Sequence, residues 1–178
     1  MIKLLDLLRE EKLDILKPRR SPEERQQNYA IATQKKIEQY IKDGGKDNLN
    51  LQSTPITTLP NDLKVGGNLY LDGSNITSLP NGLTVKGILD LRNTPITTLP
   101  NDLKVSDYIY LSNTKITSLP NNLKVNGSLY LTNTPITTLP NNLKVKGNLY
   151  LEDTPISKKY SKEEIKKMVP GVKGDIYI

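Results

Sequence analysis

Between Leu49 and Ile156 the apolar positions recur at a step of 20 residues, without insertion or deletion. In the copy LYLDGSNITSLPNGLTVKGI, which starts at Leu69, the apolar slots are Leu69, Leu71, Ile76, Leu79, Leu83 and Val85. Reading down the copies gives Leu51, Leu91, Leu111, Leu131 and Leu151 in one column. Ile56, Ile96, Ile116, Ile136 and Ile156 form a second, and Val65, Val105, Val125 and Val145 a third. A fixed period of roughly 20 to 50 residues marks a solenoid. Each unit is too small to bury its own apolar side, so neighbouring units must stack to make a core.

Within a copy, the alternation in LYLDG predicts a strand. Leu69 and Leu71 face inward, while Asn68, Tyr70 and Asp72 face outward. Parallel pairing of successive copies, from Leu49–Leu51 to Ile176–Ile178, predicts seven strands in one sheet about 29 Å long. Leu-Pro-Asn follows the Ile at 59–61, 79–81, 99–101, 119–121 and 139–141. Proline bars a helix interior, so this opposite side is expected to be extended or tightly turned. The hydroxyl column Thr54, Ser74, Thr94, Thr114, Thr134 and Thr154 is expected to bond locally to backbone at the bend after the strand. Gly67, Gly87, Gly127 and Gly147, with Asp107 as the exception, point to a positive φ.

The flanks carry helix signals. Residues 2–16 suit a Leu-rich helix, broken by the prolines of KPRRSP at 17–22. Ser21, Pro22 and Glu24 then open a second helix with an N-cap, a first-turn proline and a capping box. Its expected apolar face is Ala30, Thr33, Ile37, Tyr40 and Ile41, and Gly44-Gly45 stops it. Residues 1–46 are thus expected to form a helical cap over the first coil of the repeats at 47–156. In residues 157–178 a capping box at Ser161 and Glu164 starts a short helix with Ile165, Met168 and Val169 on one side. The final strand, Ile176–Ile178, follows at a step of 27 residues from Leu149. It is expected to close the array as a complete end.

The unit LxLxxTxIxxLPxxLxVxG resembles the short leucine-rich repeats of bacteria, among them those of secreted effectors of the YopM and IpaH type. LPNNLKVNGSLYL at 119–131 and the ending PGVKGDIYI resemble still more closely repeat proteins of tailed bacteriophages. The resemblance covers residues 47–178. It implies an α/β leucine-rich repeat solenoid, with a parallel β-sheet on the concave side and a largely non-helical convex side. A helical N-terminal cap and a short C-terminal helix plus strand cap complete it, and the family binds protein partners. Two features depart from the pattern. Thr or Ser stands where the effector repeat carries Asn, and the catalytic Cys of the IpaH ligase domain has no counterpart, since the chain has no Cys.

Charge changes the picture in one respect. The net charge is +6, yet residues 47–156 hold 8 Lys/Arg against 8 Asp/Glu; residues 1–46 hold 11 against 8, and residues 157–178 hold 6 against 3. A neutral solenoid argues against a basic groove along the repeats. Nucleic-acid binding through the basic flanks, the alternative function, would be weak and salt-sensitive. The absence of His and Cys removes the usual general base, thiol nucleophile and commonest metal ligands. With no P-loop and no Ser beside a base, neither enzyme activity nor a cofactor or metal is expected. The start, MIKLLDLLREEK, is broken by Asp6, Arg9, Glu10 and Glu11, so it reads as neither signal peptide nor membrane span. A cytoplasmic monomer without membrane contact is expected.

The outward strand positions are the column most suggestive of a site. One per coil, they read Asn50, Tyr70, Asp90, Tyr110, Tyr130, Tyr150 and Tyr177. A row of tyrosines supplies apolar area and hydroxyls together, as interfaces do; the plain alternative is a good strand former copied with the repeat. The candidate partner-binding set is Tyr70, Asp90, Arg92, Tyr110, Tyr130, Tyr150 and Glu152, with Asp90 and Arg92 expected as a surface ion pair. Because the rings face outward, their replacement is expected to cost little stability. The Lys column Lys64, Lys104, Lys124 and Lys144, interrupted by Thr84, is spaced to follow phosphates, but Asp62, Asp102 and the neutral total oppose that, and a solvated face is expected. The function expected is a non-enzymatic protein–protein interaction module, phage-encoded, that binds or inhibits a host bacterial protein such as a defence factor in the host cytosol. A structural particle component is the third alternative.

Overall fold

The structure, a computed structural model, describes residues 20–178. The helix expected over 2–16 lies outside them. The described chain is a parallel β-solenoid of about five turns, each turn contributing two short strands. One sheet contains β1 (Leu49–Asn50), β3 (Leu69–Tyr70), β5 (Leu89–Asp90), β7 (Ile109–Tyr110), β9 (Leu129–Tyr130), β11 (Leu149–Tyr150) and β12 (Ile176–Tyr177), paired in that order. The other contains β2 (Lys64–Val65), β4 (Thr84–Val85), β6 (Lys104–Val105), β8 (Lys124–Val125) and β10 (Lys144–Val145). Every pairing joins equivalent residues of neighbouring coils, Leu49 with Leu69 and Leu89 with Ile109. The last step joins Leu149 to Ile176.

The seven-stranded sheet matches the expectation. The five-stranded sheet is an addition, and its signal is visible in retrospect. Leu83-Thr84-Val85-Lys86 alternates as a strand should, with Leu83 and Val85 buried and Lys86 exposed. A bend of three residues, 66–68 in the second coil, separates the two sheets. Leu and Ile from both sheets and from the extended side fill one continuous core. Leu71, Ile76, Leu83 and Val85 are fully buried, and Leu79 nearly so.

Two local expectations meet different fates. Thr54, Thr94, Thr114, Thr134 and Thr154 each donate from Oγ1 to the carbonyl three residues earlier, at 2.6–2.7 Å. Ser74 in the same column leaves its buried Oγ without a partner. The glycine column, by contrast, does not adopt a positive φ. In the repeats that conformation belongs to Ser53, Gly73, Asn93, Asn113, Asn133 and Asp153, at the turn after each strand of the seven-stranded sheet from β1 to β11, and to Asp62 and Gly82. Glycine stands at 67, 87 and 147 because the coils come too close there. A Cβ on Gly147 would lie 2.8 Å from the backbone of Gly127 and Ser128, and one on Gly87 would strike the Asn68 amide oxygen. Those side-chain oxygens are occupied. Asn48, Asn68, Ser128 and Asn148 each accept from the backbone N–H of the equivalent residue one coil on, at 2.7–2.9 Å. Asp107 follows the coil in which Ile88 stands in that slot and supplies no such oxygen.

At the N-terminal end, α1 (Pro22–Lys42) starts as expected, with Ser21 and Glu24 closing a capping box and Gly44 and Gly45 at positive φ beyond its end. Thr33 and Ile37 are buried and Tyr40 half-buried, but Ala30 and Ile41 are exposed. The contact stripe is i, i+4, i+7. Ile41 is one residue on from Tyr40, about 100° around the helix, and falls outside it. The Tyr40 hydroxyl donates to the carbonyls of Gly45 and Asp47, at 2.8 and 2.7 Å. At the other end, two helices replace the single one expected: α2 (Pro155–Lys159) and α3 (Lys162–Met168). Thr154 caps α2 with Pro155 in the first turn. The same Thr-Pro cannot open a helix in earlier coils, because a second proline follows five residues later, as Pro95 and Pro100 show; here Tyr160 takes that place.

Candidate binding face and a second charged face

The pleat of the seven-stranded sheet sends one side chain per coil outward in register, which brings the tyrosines into contact. Tyr110 and Tyr130 stack at 4.5 Å between ring centroids, Tyr130 and Tyr150 at 4.3 Å, and Tyr150 and Tyr177 at 4.7 Å. The planes lie within 5–20° of each other. Tyr108 extends the group at 6.2 Å from Tyr110. A cation closes each end of the stack: the Arg92 guanidinium lies 5.2 Å from the Tyr110 centroid and Lys162 Nζ 5.9 Å from that of Tyr177. Ring quadrupoles attract such cations.

The rings spend their faces on one another. Tyr150 also accepts from Asn148 Nδ2, and Tyr70 from Asn68 Nδ2, which leans these rings toward the bend between the sheets. Partial burial and the flanking phenols push the Tyr130 hydroxyl up to about 12, burial being the larger cause. The expectation that these rings cost little to remove therefore changes. Each stacked aromatic pair contributes about 0.5–1.5 kcal/mol beyond its area, and Tyr130 makes two.

Asp90 interrupts the row and corrects a second expectation. Its side chain is 3% exposed against 45% for Arg92, so the pair is a covered carboxylate under a half-exposed arginine rather than a surface pair. Arg92 Nε and Nη2 grip the two carboxylate oxygens at 2.9 and 2.6 Å, and the Arg92 backbone N–H also donates to Oδ1 at 3.2 Å. The bond to Asp90 raises the Arg92 pKa. Tyr70 is cut off from the stack, since Asp90 sits between it and Tyr110 in the sheet. Glu152 lies at the far border and accepts from Thr132 Oγ1 at 3.0 Å. Thus Tyr110, Tyr130, Tyr150, Arg92 and Asp90 form one assembly, and Tyr70 and Glu152 border it.

Two partners of this assembly escaped the sequence reading. Lys162 comes from α3, which no spacing argument connects to the strands. The second is an amide ladder on the adjoining turn: Asn133 donates to Asn113, Asn113 to Asn93 and Asn93 to Asp72, at 2.8–2.9 Å. Its signal was the column Asn93, Asn113, Asn133, which is regular in the sequence.

The five-stranded sheet shows that a neutral sum conceals segregated charge. Of the 8 Lys/Arg in residues 47–156, four lie on its outer side, Lys64, Lys104, Lys124 and Lys144, and two more, Lys86 and Lys146, are exposed at the bend just beyond it. Lys173 continues them beside Lys146 in the final coil. The remaining positions of these two columns are Thr84 on the strands and Gly66, Ser106 and Asn126 at the bend. The tyrosine face, in contrast, carries Asp72, Asp90 and Glu152 against Arg92 and, at its far end, Lys162. Summing along coils averages over two faces that the fold keeps apart.

Among the described residues no group of three or more His, Cys, Asp or Glu could hold a metal ion, and no helix is long and apolar enough to cross a membrane. Compared with known proteins, the chain matches no family model, and no curated protein matches it.

Proposed function

We propose that the protein is a non-enzymatic recognition module of the leucine-rich repeat type, which binds a protein partner on the outer face of its seven-stranded sheet. The observation that carries this reading is the cation-capped tyrosine stack. Interfaces draw their energy from aromatic and arginine side chains. Rings already held by their neighbours lose little rotamer freedom on contact, which lowers the entropic cost of association. The covered Asp90 fixes the Arg92 fork, so that border is organised before any partner arrives. The resemblance to phage repeat proteins directs the search to a bacterial host protein, and interference with a defence factor in the host cytosol is the role we propose.

The test separates the hydroxyl edge from the stack. Tyr130→Phe with Tyr150→Phe keeps the rings and removes two hydroxyls. A partner recovered from bacterial lysate should bind purified wild-type protein saturably and bind the double variant about tenfold more weakly, as expected for one or two lost hydrogen bonds. If the partner binds both this variant and Arg92→Ala as it binds wild type, the face is not its site.

A further inference from the structure

We infer that the five-stranded sheet is a second binding surface, built for the sugar–phosphate backbone of a nucleic acid. Its outer side presents a file of lysines. Lys144 stands directly opposite Lys124 in the register, and Lys64 and Lys104 flank Thr84 on either side. Neighbouring strands are about 4.8 Å apart, so the file from Lys64 to Lys144 runs about 19 Å. Like charges opposed on adjacent strands are destabilising. The cost is not relieved by an ion pair: among the described residues the one ion pair is Arg92 with Asp90. Asp62 and Asp102 stand two residues before Lys64 and Lys104 and temper the charge there, but neither forms an ion pair with a lysine among the described residues; Asp102 Oδ2 accepts from the backbone N–H of Gly82 at 2.7 Å.

Copying of the repeat accounts for Lys64, Lys104, Lys124 and Lys144. It does not account for Lys86, Lys146 and Lys173, which stand in a column shared with Gly66, Ser106 and Asn126. The positive charge of this face thus comes from two independent columns. At its N-terminal end Lys46, Lys64 and Lys86 converge on an open cleft of about 320 Å³ floored by Gly45 and Gly66.

The chemistry of the face selects among anionic partners. Between the lysines stand only Gly, Thr, Ser and Asn; of the exposed large apolar side chains, Tyr29, Ile31, Tyr177 and Ile178 lie elsewhere, and Ile41 borders the file at its N-terminal end, beside Asp62 and Lys64. An acidic protein interface wants an apolar centre, and a membrane-surface site wants apolar side chains to insert. A bare file of point charges suits a polymer with one anionic group per unit, held through its backbone without base reading.

The experiment uses fluorescence anisotropy with the full chain, a labelled mixed-sequence single strand and the corresponding duplex. Polyglutamate and phosphatidylserine vesicles serve as competitors. With about five phosphates neutralised, affinity should fall roughly a hundredfold for the single strand and roughly five-hundredfold for the duplex between 50 and 200 mM salt. Lys104→Glu, Lys124→Glu and Lys144→Glu together should abolish most binding at low salt. Should that variant fail to fold by circular dichroism, the triple Gln variant should still flatten the salt dependence to under about tenfold. Which strand form binds better decides between single-stranded and duplex targets. The inference is overturned if neither oligonucleotide binds at low salt, or if a triple reversal at Lys158, Lys159 and Lys166 on the terminal helices weakens binding as much. Stronger competition by polyglutamate or vesicles, charge for charge, also overturns it. Tyr130→Phe with Tyr150→Phe should leave the result unchanged, so this surface stands or falls apart from the tyrosine face.

Discussion

At the scale of single residues, the periodic fold multiplies the effect of each side chain by setting it against its own copies. Tyr130 is the clearest case, with a phenol on either side. Its folded pKa, about 12, stands above the ordinary tyrosine value of about 10. A raised pKa stabilises the folded form below the unfolded value, and that contribution is lost as pH rises through the folded value. Stability should therefore be flat across neutral pH and decline from about pH 10 toward pH 12. Tyrosinate absorbance followed through an alkaline titration should include a late step near pH 12 that is lost in Tyr130→Phe. Asp90 teaches the converse lesson. In the sequence it is an outward residue like any other in its column, and only the bidentate Arg92 two positions on draws it under cover. Alternation gives the direction of a side chain, whereas burial depends on what folds over it.

At the scale of the coil, glycine does two different jobs that the sequence does not distinguish. Gly147 gives room to the neighbouring coil, and Gly73 gives a positive φ of 65°. Gly147→Ala should cost about 1–3 kcal/mol, as overpacking against fixed backbone does. Gly73→Asn, by contrast, should stay within about 0.5 kcal/mol of wild type, because Asn tolerates the conformation and a surface change away from special features is usually mild. Urea denaturation of the two variants checks both; equal losses would mean that one cause serves both sites. The coil was largely legible in advance. Its period, its first strand, its hydroxyl bond and its helix-barring proline follow from Leu-x-Leu, Thr and Pro at fixed spacing. The second strand was missed because Leu-Lys-Val is short and its lysines suggest a solvated ridge. The start of α2 was missed because Thr154-Pro155 repeats a pair that remains extended in earlier coils.

At the scale of the molecule, the stacking of coils and the seven-stranded sheet followed from the period, while the second sheet and the end of the tyrosine row did not. Coil stacking converts a sequence column into a spatial row, so the tyrosines could be placed beside one another from their numbers. What ends the row could not, since Lys162 arrives from a different kind of element. The charge on the second face was hidden for a related reason, since composition is read along the chain and faces run across it. The same in-register ladder has a mechanical consequence. Successive coils are joined edge to edge by parallel strand pairs, so a load applied to the two ends pulls along the stack and meets one coil at a time. Held between a bead and a surface, the protein should yield in a staircase rather than a single rupture. Each interior tread should be roughly 60 Å long, the contour of a 20-residue coil at about 3.3–3.6 Å per residue less the step it occupied. A single cooperative rip spanning the whole array would show that the coils bear load jointly. A regular staircase would make the protein a graduated spring, with its repeat length as the unit of extension.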